Sequence, residues 1–344
     1  MSERTVSLIV PCRNESAHIE AFCADALAQQ LPPGWRMELC IADGRSDDGT
    51  REWLQALAAA EPRIRWIDNP ARIVSSGLNA ALAQARGEVI VRLDVHTRYA
   101  PDYVAQCLAA LAETGADNVG GPWHAKPAAD AGPTAQAVAA AFQSAWVAGG
   151  AASRRLDFAG WTDTVYLGCW PRATFERFGT FDTALVRNQD DEHNLRIRRG
   201  GGRLWQSPNI KSVYQPRATL HAVFSQWLQY GYWKPFVIVK HRQPAAVRHL
   251  VPAAFVALLL LTALCRLLGG PAWPFLWLAG SYAVAVAALS AAVARGAGLN
   301  AAAALRVPAV IAACHLGYGI GSWPGWFDAL LGRPGRARFG ALTR

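Results

Sequence analysis

Between Arg248 and Asp328 the chain carries only three charged residues, Arg266, Arg295 and Arg306. A soluble stretch of that length would carry about 20. The uncharged windows are 249–265, 267–294 and 307–327, and Gly269-Gly270-Pro271 separates the first two. A membrane-spanning helix needs about 20 apolar residues, with a range of roughly 17–25. The second and third windows meet this, and the first does if Arg266 snorkels to the surface. Two to three transmembrane helices are therefore expected over 249–328, three being favoured, with a basic tail at 329–344. Arg295 and Arg306 suit the cytoplasmic side. A third full span would put Arg333, Arg336, Arg338 and Arg344 outside, against the positive-inside tendency. Either the third segment is re-entrant or the tail is an exception.

The rest of the chain is different. Residues 1–192 hold 17 Lys and Arg against 24 Asp and Glu, whereas residues 193–344 hold 17 against one acid, Asp328. The basic half is also the apolar half. An anionic inner-membrane lipid surface accounts for both features, and nucleic acid is not expected as a partner. Residues 221–248 mix Trp227, Tyr230, Tyr232, Trp233 and Phe236 with Lys234, Lys240 and Arg242, a composition suited to interfacial amphipathic helices. Seven cysteines without CxxC spacing read as small buried residues in a reducing compartment. The first apolar run is five residues long and meets Pro11-Cys12-Arg13, so no signal peptide is expected and the N-terminal domain should face the cytoplasm.

From residue 6 to 121, apolar runs at 6–10, 37–42, 64–67, 89–93 and 118–121 alternate with helical periods at 16–30, 48–60, 75–85 and 101–113. That alternation predicts βαβ units and a largely parallel, Rossmann-like α/β sheet. Residues 134–147 read as a helix beside a mobile loop, 164–167 as a strand, and 172–178 and 190–199 as helices. In such sheets ligands bind beyond the carboxyl ends of the strands, which points to residues 11–15, 43–48 and 94–96.

Those ends carry acids. Asp43 follows the second strand, and Asp94-Val95-His96 closes the fourth. A carboxylate and an imidazole on one tight loop can share a divalent cation with a phosphate. Asp47 and Asp48 read as turn or cap residues. Asp190-Asp191-Glu192 opens a helix, where acids suit the positive end. Neighbouring carboxylates are also one way to prepare a general base.

In order along the chain, Val6-Ser7-Leu8-Ile9-Val10-Pro11 with Arg13-Asn14-Glu15, the segment 41–50, Gly77-Leu78-Asn79 with Ala85-Arg86-Gly87-Glu88, Asp94-Val95-His96, Gly179-Thr180-Phe181-Asp182 and the segment 189–196 resemble the family 2 glycosyltransferases. Arg92-Leu93-Asp94-Val95-His96, Arg187-Asn188-Gln189-Asp190-Asp191-Glu192 and the apolar segment with His315-Leu316-Gly317-Tyr318-Gly319 resemble the membrane-anchored succinoglycan-biosynthesis subgroup. The resemblance implies a GT-A nucleotide-diphospho-sugar transferase domain over 1–220. It implies that Pro11, Arg13 and Glu15 border the nucleotide and that Asp43 contacts the base. Asp94 would bind diphosphate and a divalent cation, Mg²⁺ or Mn²⁺, with His96 as a second ligand. Asp190 would be the catalytic base. Asp191, Arg196, Gln229, Trp233 and Lys234 would serve the acceptor or the leaving group, the last three beside a QxxRW-like motif. The implied reaction moves a sugar with inversion from a UDP-sugar donor to a polyprenyl-diphosphate-linked saccharide acceptor, for bacterial exopolysaccharide.

Four positions depart from that pattern: Ala42, His96, Gln189 and Tyr232 stand where acids or, at 232, an arginine are usual. A processive polysaccharide synthase and a catalytically silent scaffold are the alternative readings. Gly317 and Gly321 form a GxxxG that would permit a homo-oligomer. His315 reads as a packed polar residue.

Overall fold

The computed structural model describes residues 3–339; residues 340–344 of the basic tail, including Arg344, lie outside the described residues. The chain divides into two units. One comprises the chain to His124 together with Ala152–Tyr214, and the other Ala125–Ala151 together with everything from Gln215. The sequence reading has the helix of this excursion, at 134–147, but counts it within the 1–220 domain.

The first unit begins β1 (Arg4–Cys12), α1 (Ile19–Leu27), β2 (Trp35–Asp43), α2 (Thr50–Ala60), β3 (Ile64–Asp68), α3 (Val74–Gln84), β4 (Val89–Arg92), β5 (Thr97–Tyr99), α4 (Tyr103–Thr114), β6 (Asn118–Gly121) and β7 (Trp123–Ala125). The chain then forms α5 (Pro133–Gln143) in the second unit. It returns through β8 (Gly160–Thr162), β9 (Tyr166–Pro171), α6 (Arg172–Phe178), α7 (Gln189–Arg199), β10 (Leu204–Gln206) and β11 (Ser212–Tyr214).

The main sheet has the order β3-β2-β1-β4-β9-β6-β10-β8. Strands β1 to β4 are parallel, and β9 runs antiparallel to both β4 and β6. Alternation along a strand sends neighbours to opposite faces. Val6, Leu8 and Val10 thus join Phe22, Leu54 and Val104 in one core, while Ile9 joins Cys40, Leu78, Trp170 and Phe175 in the other. Both faces being buried explains the unbroken apolar runs. A small sheet, β5-β11-β7, lies apart from the main one. Its three-residue strands are too short for a periodic signal, which is why the sequence reading lacks them.

The second unit holds α5, α8 (Leu220–His241), α9 (Val251–Leu267), α10 (Trp273–Gly296), α11 (Ala301–Ala304) and α12 (Val307–Leu330). Three segments are long and apolar enough to cross a membrane: Val247–Leu267, Trp273–Gly296 and Ala301–Leu330. At 1.5 Å per residue, the 24 residues of α10 reach about 36 Å, enough for a hydrocarbon layer of about 30 Å. Leu258, Leu261, Leu264, Leu276, Trp277 and Val284 on α9 and α10 are exposed, as lipid-facing side chains must be.

Helix α12 is the inner one, buried along one side from Val307 to Asp328. Gly317, Gly321 and Gly325 meet α8, and Gly319 meets α9. A Cβ on Gly321 would stand 2.0 Å from the Leu228 carbonyl oxygen, and one on Gly325 2.2 Å from that of Tyr232. The GxxxG pair, Gly317 and Gly321, therefore faces the chain's own α8. His315 is a packed polar residue, its ring nitrogens 3.3 Å from the Tyr282 hydroxyl and 3.2 Å from the Val147 carbonyl. Asp328 accepts from the Tyr232 hydroxyl at 2.8 Å and from Arg338 Nε at 3.0 Å, which ties the start of the basic tail to α8 and α12. Six of the seven cysteines are buried, and Cys265 is exposed.

Candidate active site

The parallel register places the acids. Cys12 pairs with Asp43, and Ile9 with Arg92, so Asp43 and Asp94 end the strands flanking β1. Two strand spacings put their backbones about 10 Å apart at one edge of the sheet.

The loops after β1 and β2 are fastened to each other. Asn14 takes a left-handed conformation, φ 53°, which asparagine tolerates better than most residues. Its amide donates to Ser46 Oγ at 2.8 Å and its side chain to Asp47 at 2.9 Å. The Glu15 amide donates to Thr50 Oγ1 and the Ser16 amide to Asp48. Against the upward push of burial, hydrogen bonds from Thr50 and Ser16 bring the Asp48 carboxyl down to about 2. Asp47 and Asp48 thus do the turn and cap work expected of them. Asp43 is fully buried. It accepts from Ser46 and, at 3.2 Å, from Arg51 Nη1, which also reaches Asp68 at 2.8 Å.

The loop after β4 turns sharply, with the Thr97 amide donating to the Asp94 carbonyl at 3.1 Å. Tyr99 on β5 holds the turn, because its hydroxyl accepts from the Asp94 amide at 2.7 Å. Burial, with the Asp94 charge adding to it, raises the Tyr99 phenol far above its ordinary value, so it stays a neutral donor and acceptor. His96 is half exposed, its Nδ1 3.7 Å from Glu15 Oε1.

Asp190 arrives from the other end of the domain, in the first turn of α7, where Asn188 caps the helix at φ 61°. Its Oδ2 stands 3.7 Å from Arg92 Nη1. Arg92 in turn grips Asp94 through two hydrogen bonds, Nε to Oδ1 at 3.1 Å and Nη2 to Oδ2 at 3.2 Å. Residues 94 and 190 therefore meet at one strand edge, partly open to solvent. Pro11 lies near the end of the adjoining β1, Arg13 and Glu15 on the loop that follows it, and Asp191 follows Asp190 on α7.

What holds α7 in place is its other side. His193 is buried in an aromatic box, stacked on Phe175 with ring centroids 5.2 Å apart and near Phe181 and Trp170. Asn194 accepts from Asn118 at 2.8 Å. Arg196 bonds Glu192 at 2.7 Å, the Phe178 carbonyl at 2.7 Å and the Thr180 carbonyl at 2.8 Å. Gln229, Trp233 and Lys234 lie on α8 in the second unit, where all three are buried.

Burial, reinforced by the Arg196 charge, lowers the His193 imidazole to about 4 against the pull of the Gly179 carbonyl. The folded state thus refuses a proton that the unfolded chain takes up near pH 6.5. Stability is complete above that value and falls as pH drops towards 4, by up to roughly 3 kcal/mol. Unfolding of the wild type and of His193→Gln, followed between pH 7 and 4.5, should show this extra loss in the wild type only. Equal pH dependence in the two would contradict the assignment.

Sequence reasoning missed Tyr99, which sits on an unforeseen strand, and missed the part played by Arg92. The signal for Arg92 was there: residue 94 comes two positions after 92 at the end of an apolar run, a spacing that extended backbone puts on one face.

Among the described residues no three His, Cys, Asp or Glu side chains converge on one point. Mg²⁺ or Mn²⁺ beside a nucleotide needs only one or two protein ligands, the remainder being phosphate oxygens and water. Asp94 keeps lone pairs beyond those facing Arg92, and His96 lies two residues on, so this donor set fits such an ion.

Residues 7–144 match the glycosyl transferase family 2 model. The chain is 32% identical over 250 residues, 72% of its length and 74% of the relative's, to the succinoglycan biosynthesis protein ExoA of Rhizobium meliloti (strain 1021). It is 24% identical over 243 residues, 68% of its length and 74% of the relative's, to a dolichyl N-acetyl-α-D-glucosaminyl phosphate 3-β-D-2,3-diacetamido-2,3-dideoxy-β-D-glucuronosyltransferase of Methanococcus voltae. In fold it is similar to the mannosyltransferase PcManGT of Pyrobaculum calidifontis, solved in complex with GDP-Man and Mn²⁺. That match has a TM-score of 0.59 at 22% identity and covers 94% of this chain and 86% of that one. With a GT-A sheet, strand-end acids and a relative this similar over most of both chains, the protein belongs to glycosyl transferase family 2 and is a glycosyltransferase of polysaccharide biosynthesis.

Proposed function

We propose that the protein transfers one sugar, with inversion, from a UDP-sugar to a polyprenyl-diphosphate-linked saccharide at the cytoplasmic face of a bacterial inner membrane. The observation carrying this reading is the meeting of Asp94 and Asp190, 96 positions apart in the chain, at the carboxyl edge of the sheet. An inverting transfer needs two functions on opposite sides of the anomeric carbon, one holding the diphosphate and one taking a proton from the acceptor.

Asp94 and His96 would hold the divalent cation, which supplies charge neutralisation to the departing diphosphate. Pro11, Arg13 and Glu15 flank the nucleotide. Asp43, with both oxygens engaged by Ser46 and Arg51, shapes the floor of that pocket. Asp190 accepts the proton of the acceptor hydroxyl. The oxygen forms its bond to the anomeric carbon as the carbon–oxygen bond to the diphosphate breaks, and that electron pair leaves with the phosphate oxygen. Asp191 stands on the acceptor side, and Arg196 fixes α7 by its bonds to Glu192 and the α6 end. Gln229, Trp233 and Lys234 are assigned to the lipid-linked acceptor. Two features favour that acceptor: the three apolar helices, and the dolichyl-phosphate substrate in the archaeal relative's name.

The test is a donor panel with the full chain in detergent, a polyprenyl-diphosphate-linked sugar and Mn²⁺. UDP-glucose, UDP-galactose and their relatives should yield UDP and a lipid carrying one extra β-linked sugar. Turnover with GDP-sugars alone would overturn the donor assignment. An α-linkage would overturn the inversion, and long polymer would favour the processive reading.

A further inference from the structure

We propose that Arg92 is a positioning residue that locks the donor-side acid and the base into one unit, so that Asp94 and Asp190 depend on a single buried guanidinium. The inference rests on the transferase reading above. It goes beyond that reading by assigning a role to a residue that touches no substrate.

Arg92 closes β4 and is 6% exposed. A buried charge is costly unless it is paired and hydrogen-bonded. Burial works against the guanidinium's charge, and the Asp94 and Asp190 carboxylates more than restore it, so it stays charged throughout. Its five donors lie in one rigid plane. One edge of that plane, Nε and Nη2, holds both oxygens of Asp94. The remaining nitrogen, Nη1, is buried with no hydrogen-bond partner and stands 3.7 Å from Asp190 Oδ2.

That gap is too long for a hydrogen bond and within about 1 Å of a charge-assisted one. Nothing else competes for the nitrogen, so a small approach of α7 completes a fork between the two acids. Both neighbours are otherwise anchored from behind: Asp94 by the Tyr99 hydroxyl, α7 by His193, Asn194 and Arg196. The guanidinium thus reaches both acids from beneath. Lysine cannot replace it, because a single ammonium lacks the planar fork that spans two carboxylates.

The experiment uses the full chain in detergent and two readouts: affinity for UDP and for GDP, each with Mn²⁺, by calorimetry, and kcat at saturating donor. Arg92→Gln should weaken nucleotide affinity and lower kcat, each about tenfold or more. Its effects should cross over in double variants. On an Asp94→Asn background it should cost no further affinity, and on an Asp190→Asn background no further kcat. A purely structural role would instead lower the melting temperature and multiply the losses on both backgrounds, which would overturn the inference, as would unchanged affinity and kcat in Arg92→Gln. If the Gln variant fails to fold, Arg92→Lys decides. It retains the charge and should stay within about threefold of wild-type affinity while losing kcat about tenfold; full recovery of both would refute the shared fork. The two readings fail separately. A wild type that binds nucleotide but transfers no sugar sinks the transferase assignment, while the affinity arm with Asp94→Asn still reports on Arg92.

Discussion

Asp190→Asn is expected to lower kcat by a factor of about 10² to 10⁴, the usual contribution of a positioned general base, while leaving nucleotide affinity and folding nearly untouched. The asparagine keeps the shape of the side chain and loses only the ability to take a proton. Asp190 is partly exposed, and the helix that carries it is held by other residues: His193 in its aromatic box, Asn194 on Asn118, Arg196 on two carbonyls. The acid contributes to the helix N-terminus by about 0.3–1 kcal/mol, so the melting temperature should move by only a few degrees. Measuring turnover beside thermal unfolding separates a lost base from a damaged fold. Wild-type kcat in this variant would remove Asp190 from the mechanism.

The second large effect lies in the helical unit. Gly321→Ala should cripple the packing of α8 on α12, because its Cβ would sit 2.0 Å from the Leu228 carbonyl oxygen. That oxygen belongs to a helix backbone and cannot rotate away. The helices must part by more than 1 Å, which weakens the neighbouring contacts at Gly317 and Gly325 as well. Overpacking usually costs about 1–3 kcal/mol, and a backbone-to-backbone clash belongs at the upper end. Gly280→Ala on α10 is the control: nothing lies within 4 Å of its Cβ, and alanine favours a helix interior by about 1 kcal/mol. Thermal stability in detergent should fall by many degrees for Gly321→Ala and hold or rise for Gly280→Ala. Equal behaviour of the two would contradict the packing described.

Much of this molecule was legible in the chain. The runs at 6–10 and 37–42 announced buried parallel strands because both faces of those strands lie in core. The helix at 172–178 and the start of α7 were readable because their polar ends and glycine stops are local features. Asp43 and Asp94 were found by their place after strands, a rule of sheet topology rather than of composition, whereas the role of Asp190 came from the family resemblance. Two kinds of information were hidden. Strands of three residues, such as β5 and β11, show no period, so Tyr99 was not seen to hold the Asp94 turn. Long-range partnerships were hidden as well. The spacing of Gly317 and Gly321 announces a close helix approach but not the partner, which is α8. The fork of Arg92 between residues 94 and 190 depends on where α7 returns to the sheet, and no local spacing encodes that.

The division of labour at the strand edge is tested most directly by titrating UDP with Mn²⁺ into the wild type, Asp94→Asn and Asp190→Asn. The account predicts that Asp94→Asn loses affinity by about tenfold or more, while Asp190→Asn binds like the wild type and fails only in turnover. Equal affinity in all three proteins would contradict it.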